Sequence, residues 1–365
     1  MPVEAAAVRA ALRNVREPSL DRDVVELGMV RAIVPGRRGR VALTLALPVE
    51  EWFERDELRR RVEHAVGAIE GVDDVRVELD VMSDDEVEAM GAVLDAVPHF
   101  TEQGSETRVL GISSGKGGVG KSSVTVNVAV ALARRGRSVG ILDADIYGFS
   151  VPRMLGVTEA PIAVLPNVLV PPTAHRVRCM SMDFLAPEDR AIMWRGPMLH
   201  KALEEFITKV YWGEPDYLLF DMPPGTGDVA LSMAQHLPRS ELFVVTTPQA
   251  AAQRVARRTA LMSRDPNVKL EVVGVIENMS WFTGDDGKRY QIFGSGGGQM
   301  LADDVGVPLL AQIPLVPALR EGGDIGLPIT VADPGSEAAA AFDTIADWIE
   351  RHPPKRVHKR ELRLV

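Results

Sequence analysis

The segment "RVLGISSGKGGVGKSSVTVNVAVALARRG" leaves a chain few choices of fold. An apolar strand, "RVLGIS", runs into a glycine-rich turn and then into a helix predicted from Lys121 to Arg135. Gly115, Lys116, Gly117, Gly118, Val119, Gly120, Lys121 and Ser122 satisfy G-x-x-x-x-G-K-[ST] in the strand-to-helix context the pattern requires. Glycines let the backbone wrap an anion with successive N–H groups pointing inward, and the helix N-terminus adds its positive dipole end. Such a cradle binds nucleotide phosphates. It assigns Lys121 to the β- and γ-phosphates and the Ser122 hydroxyl to Mg²⁺, with Ser123 the next residue of the binding set. A second lysine, Lys116, stands near the start of the loop, where its side chain is free to point outward. Read from the residues alone, it is a solvated loop lysine pointing away from its own phosphates.

From Thr107 onward, apolar strands alternate with helices. "SVGILDAD", "RVRCMSM", "DYLLFDM", "ELFVVTT", "KLEVVGVIEN" and "PLLAQIP" read as strands, and "GPMLHKALEEFITKV" and "PQAAAQRVARRTALM" as helices. Continuous apolar strands separated by helices predict an α/β fold, a P-loop NTPase with a parallel sheet covered by helices on both faces. Ligands bind such sheets at the carboxyl ends of the strands. A small α+β domain precedes it, with helices in "VEAAAVRAALRNV" and "RDELRRRVEHAVGAI" and strands in "RVALTLAL" and "VDDVRVELDV". The expected division is 1–84 for the small domain, 85–106 for a short helix and linker, 107–352 for the nucleotide domain, and 353–365 for a basic tail.

Composition narrows the setting. The 365 residues are 46% hydrophobic and 25% charged, which suits two globular domains. One cysteine, Cys179, forbids an internal disulfide and fits a reducing cytoplasm. The N-terminus is broken by Glu4, Arg9, Arg13 and Arg16, unlike a signal peptide, and no stretch reaches the roughly 18 apolar residues of a membrane span. A formal charge of −10 argues against a general nucleic-acid coat.

Acidic partners follow the cradle. "YLLFDMPPGTGD" ends an apolar strand on Asp221, the position that holds Mg²⁺ beside Ser122. Pro223, Pro224, Gly225 and Gly227 then make a stiff, hinged loop suited to sensing the γ-phosphate. In "GILDADIYG", Asp145 is the candidate for orienting the attacking water. Asp143 either supports it or caps a helix. Asn278 in "VIENMS" is placed either against the adenine edge or simply in a turn. "WFTGDDGKRYQIF" reads as a hairpin turning at Asp286-Gly287, with Asp285 and Asp286 as turn residues rather than metal ligands. Gly294–Gly298 suggests a hinge or a close backbone approach. Cys179, on a strand, is most simply a core residue. The histidines His64, His99, His175, His200 and His236 show no metal spacing.

"GKGGVGKSSVTVNVAVALA", "LDADIYGFSVPRMLG", "FDMPPGTGD", "VTTPQ", "GVIENMS" and "IFGSGGG" occur in this order. Together they resemble the Mrp (ApbC-like) ATPases with the deviant Walker A pattern K-G-G-x-G-K-[ST], over about Thr107–Glu350. "GMVRAI" and "EGVDDVRVEL" resemble the PaaD-like domain that often precedes them. The resemblance implies Mg²⁺-dependent ATP hydrolysis coupled to iron–sulfur cluster assembly or transfer to apoproteins or from scaffold proteins, by a homodimer. It implies that Lys116 crosses the dimer interface to the partner's nucleotide. The family usually carries C-x-x-C just after "ENMS", and this chain reads "ENMSWFTGDDG" there. Four thiolates normally hold a cluster, sometimes with histidine substitutes, so bridging through the usual motif cannot occur here. A reductase that passes electrons as nitrogenase iron protein does is set aside for the same reason. The alternative is a ParA/MinD-like positioning ATPase that touches anionic lipid or DNA through Lys355, Arg356, Lys359, Arg360 and Arg363.

Overall fold

The structure is a computed structural model. It describes residues 3–97, 99–102, 104–145, 148, 150–185, 196–225, 229, 233, 235–237, 240–249 and 270–354. The helix expected in "PQAAAQRVARRTALM", Gly227, and the five basic residues of the tail lie outside them. Contacts gather the chain into two interleaved units: Met1–Thr107 with Arg137–Leu218, and Arg108–Gly136 with Leu219–Val365.

The first unit opens with a three-stranded sheet, Val30–Pro35, Arg40–Leu47 and Asp74–Val81 in that order. The first pair is antiparallel and the second parallel. The parallel pair is possible because helix Arg55–Gly67 supplies the crossover. That helix buries Leu58, Val62 and Val66, an i, i+4, i+8 stripe, and turns its arginines outward. Strand Val30–Pro35 was not read from sequence, since "VRAIVP" is too short for its period to show. The stretch expected as a linker opens with helix Asp84–Asp95, started by a capping box in which Ser83 and Glu86 satisfy each other's backbone N–H. Met90 and Leu94 of this helix are buried in the unit's core with Trp52, Leu45 and Val62. Gly91 lets Leu165 pack close, since a Cβ there would lie 2.1 Å from the Leu165 Cδ1 methyl.

The same unit carries the parallel strands Val139–Asp143 and Val177–Ser181, with Thr173–Ala174 antiparallel at the edge. Arg178 of the second strand is buried, and its guanidinium donates twice to the Ser19 carbonyl and once to Ser138 Oγ. Tyr211 donates to the Leu20 carbonyl at 3.2 Å. Loop 17–22 is thereby tied to the strand through backbone acceptors. Cys179, beside Arg178, is fully buried, and burial pushes its thiol well above the ordinary range. It is a core residue, as expected, and not a thiolate ligand.

The second unit is built on parallel strands in the order Leu309–Gln312, Glu271–Glu277, Glu241–Thr246, Arg108–Ser114. Tyr217–Asp221, whose last three residues belong to this unit, follows Arg108–Ser114. Helix Lys121–Arg134 is buried on nearly every face from Val124 to Ala133. Its run of β-branched residues is a poor helix former, so packing and not propensity holds it. Helix Glu337–Arg351 lies against it, and Arg135 at its end bonds Asp343, Asp347 and Glu350. At the same end of the sheet, Arg108 and Glu241, each the first residue of its strand, form a pair with two bonds of 2.9 Å. The parallel sheet with helices that the sequence predicted is present.

Glu17 is the unusual group of the first unit. It is fully buried, accepting from Trp52 Nε1 at 2.8 Å and from the Leu20 N–H at 2.6 Å. Burial outweighs these bonds and raises its carboxyl to about 7 from an ordinary 4.5. The folded chain therefore holds an extra proton between those values. Glu17's contribution to stability is complete below pH 4.5 and falls as pH rises through about 7. Glu17→Gln should flatten that fall, which is on the order of 3 kcal/mol. Urea midpoints measured from pH 4.5 to 7.5 check it, through the slope against pH rather than the midpoint at any one pH.

Candidate functional site

The glycine-rich turn is formed as the sequence predicts. Gly118 and Gly120 take φ of +76° and +81°, the left-handed region that admits glycine. A Cβ on Gly117 or Gly118 would meet nothing within 4 Å, so the backbone there faces open space. Val119 points the other way and is buried. Ser114 Oγ donates to the Lys116 carbonyl at 3.1 Å and tightens the start of the turn.

Asp221 gathers the first turn of the helix. Its carboxylate is fully buried. Oδ2 accepts from Lys121 Nζ at 2.7 Å and from Ser122 Oγ at 2.5 Å, and Oδ1 lies 2.7 Å from Thr125 Oγ1. Lys121 Nζ also lies 3.3 Å from Ser122 Oγ. The strand end is fixed by Met222 N–H to the Ile112 carbonyl at 3.0 Å and Gly225 N–H to the Ser114 carbonyl at 2.8 Å. A hydroxyl and a carboxylate side by side are the hard oxygen donors that Mg²⁺ prefers. Ser122 and Asp221 therefore fit a magnesium ion. Thr125 was missed from sequence. The signal was a polar residue four positions after Lys121, on the same face of the helix.

Asn278 stands just past strand Glu271–Glu277, where the sequence places it. It is buried, and its Nδ2 donates to the Val119 carbonyl at 2.9 Å. Gly120 packs so closely that a Cβ would lie 2.2 Å from that nitrogen. The amide thus braces the phosphate loop. The next residue, Met279, has φ of +58°, a strained value for a side-chain-bearing residue. Bonds on both sides hold it: Asn278 N–H to the Thr246 carbonyl at 2.8 Å and Ser280 N–H to the Ile313 carbonyl at 2.9 Å. Buried Glu277, unflagged by the sequence reading, accepts from Ser280 Oγ, Gln312 Nε2 and the Gly298 N–H. Within the glycine tract a helix therefore starts at Gly297, seated on Glu277. A Cβ on Gly298 would lie 2.7 Å from Glu277 Cβ.

Lys116 is half-buried, and its ammonium donates to Gln249 Oε1 at 3.0 Å. Within the chain it is held rather than projecting. In the first unit, Asp143 is fully buried, and its Oδ1 accepts the Asp145 N–H at 3.1 Å. Its Oδ2 accepts from Ser181 Oγ at 3.1 Å and from the Val151 N–H, which opens a helix, at 3.4 Å. Asp143 therefore both supports Asp145 and serves a helix start. The hairpin forms between Phe282–Thr283 and Arg289–Tyr290, and Asp286 accepts from the Lys288 N–H and from the Tyr290 hydroxyl. It is a turn residue, as expected. Among the described residues, no group of three or more His, Cys, Asp or Glu could hold a metal ion.

A family model described as "NUBPL iron-transfer P-loop NTPase" matches residues 105–350, and one for an iron–sulfur cluster assembly protein matches 5–79. The chain belongs to the iron-transfer P-loop NTPases. Its relatives in this family include the iron–sulfur cluster carrier protein of Mycobacterium tuberculosis, 46% identical over 94% of this chain and 92% of that protein. Among solved structures, the family fold is similar to a nucleotide-binding protein from Archaeoglobus fulgidus in complex with ADP. That likeness has a TM-score of 0.55 and 34% identity, over 65% of this chain and 93% of that one. It is also similar to the septum-site-determining protein MinD of Pyrococcus horikoshii with Mg-ADP, at 25% identity and TM-score 0.50, over 67% and 96%. The Mrp resemblance read from the motifs is borne out.

Two glycines of the loop separate strain from packing. Gly118→Ala meets only the cost of its left-handed backbone, about 1–2 kcal/mol, in open space. Gly120→Ala adds a collision with Asn278. Nucleotide affinity by calorimetry should fall more than tenfold further for Gly120→Ala than for Gly118→Ala.

Proposed function

We propose that this chain hydrolyses ATP with Mg²⁺ as a cytoplasmic homodimer and uses that cycle to deliver iron–sulfur clusters to apoproteins, or to take them from a scaffold protein. The observation that carries the reading is the Asp221 constellation. One buried carboxylate holds both the phosphate-binding Lys121 and the metal-binding Ser122 at the end of a formed phosphate loop. The cradle Gly115–Ser123 binds the triphosphate through its N–H groups. Mg²⁺, held by Ser122 and Asp221, neutralises charge on the phosphates. Asp145 orients the attacking water, supported by its place just past the strand end that Asp143 fixes. Lys116 acts on the partner's nucleotide and neutralises charge as the phosphoryl group leaves.

The chain's own thiols do not hold the cargo. Cys179 is buried and kept protonated by its surroundings, and Trp281 and Phe282 occupy the stretch where the family resemblance leads one to expect two cysteines. The cluster is therefore presented with ligands from the client or scaffold. No helix among the described residues is long and apolar enough to cross a membrane.

Lys121→Ala should lose ATP binding. Because it also strips a buried carboxylate of its cation, it should lower stability by about 3–5 kcal/mol, so circular dichroism accompanies the binding assay. Lys116→Ala should keep binding and lose turnover. Iron and sulfide analysis after anaerobic reconstitution should find cluster bound only when a scaffold or client is present. A cluster on the isolated protein would show that other ligands of this chain suffice, and none even with partners would count against delivery.

A further inference from the structure

The strand ends that make the phosphate loop also decide where Lys116 rests. Glu241–Thr246 pairs in parallel with Arg108–Ser114, Val245 opposite Ser114, so both chains leave the sheet side by side. Lys116 comes two residues after one strand and Gln249 three after the other. The Asn278 N–H bond to the Thr246 carbonyl fixes the exit of the second strand. The two half-buried side chains meet at 3.0 Å, ammonium to amide oxygen. An amide oxygen is a neutral acceptor. It directs the ammonium without cancelling its charge and without the Coulombic hold of a carboxylate. The long lysine stem lets the same ammonium leave when a stronger anion is offered.

We propose that Gln249 is a positioning residue that latches Lys116 within its own subunit, so that the lysine reaches a partner's nucleotide only when this hydrogen bond is broken. The proposal rests on the reading that Lys116 acts across a dimer. It makes the released lysine a minor state of the single chain and weakens apparent dimerisation by the fraction released. A neutral latch keeps that fraction adjustable. A carboxylate at the same place would hold the lysine against the phosphates.

The test is dimerisation by analytical ultracentrifugation with a non-hydrolysable ATP analogue and Mg²⁺, beside turnover as a function of protein concentration. Gln249→Ala should tighten dimerisation about tenfold and move half-maximal turnover to lower protein concentration, with kcat at saturating protein unchanged. Gln249→Glu should weaken dimerisation by a similar factor at low salt, and the deficit should shrink as salt screens the new ion pair. In a Lys116→Ala background neither substitution should change dimerisation. Gln249 variants that match the parent, or effects that persist without Lys116, would overturn the latch. Wild-type turnover by Lys116→Ala would overturn the cross-subunit lysine itself, whereas inactive Lys116→Ala with unaffected Gln249 variants would sink the latch alone.

Discussion

A carboxylate buried at a strand end must find charge and hydrogen-bond donors nearby, and Asp221 finds all of its described ones in one helical turn. Lys121, Ser122 and Thr125 converge on its two oxygens. Leaving any of these donors out would strand a desolvated charge, so the requirement sets the register between helix and sheet as firmly as apolar packing does. That register is also the functional geometry. The Lys121 ammonium, the Ser122 hydroxyl and the Asp221 carboxylate are thereby held within hydrogen-bond distance of one another. Pre-organised donors of this kind need little rearrangement when charge develops.

The loop itself is held from its far side. Its glycines supply left-handed backbone, which by itself specifies a flexible turn. Asn278 converts flexibility into one shape by accepting Gly120 against its amide and donating to Val119. The cost appears one residue later as the positive φ of Met279, and the bonds of Ser280 and Glu277 keep the chain there. Strain that surrounding structure over-determines is characteristic of working sites. Here it sits where three strand ends converge on the phosphate loop.

The nucleotide machinery and the cargo grip are separable in this chain. The first matches its family over residues 105–350. The second lacks the thiol pair, and the segment in its place closes as a hairpin, with Arg289 stacked on Trp281 at 4.2 Å and bonded to Glu337. These contacts make an ordered surface. They suit a carrier that meets ligands supplied by another protein.

Much of this was legible in the sequence, because some residues mean the same thing wherever they are placed. The phosphate loop, its two lysines, Ser122 and Asp221 follow from local pattern, since glycine freedom, helix dipole and strand-end carboxylates are local physics. The parallel strands from Arg108–Ser114 to Leu309–Gln312 follow too, since continuous apolar runs have few other uses, whereas the short strands Ile162–Leu165, Val168–Val170 and Thr173–Ala174 do not. Three things waited for the tertiary structure. Asn278 gained its contact with the phosphate loop, because only the fold brings Val119 and Gly120 to it across 159 residues. Thr125 gained a role because Asp221 comes from a distant strand, and Glu277 because Gly298 and Gln312 are brought to it from further along the chain. Lys116 acquired Gln249 because two parallel strands end together. Sequence determined which groups carry the chemistry; folding decided which of them touch, since hydrogen bonds across such separations depend on sheet order and helix register that no short motif encodes.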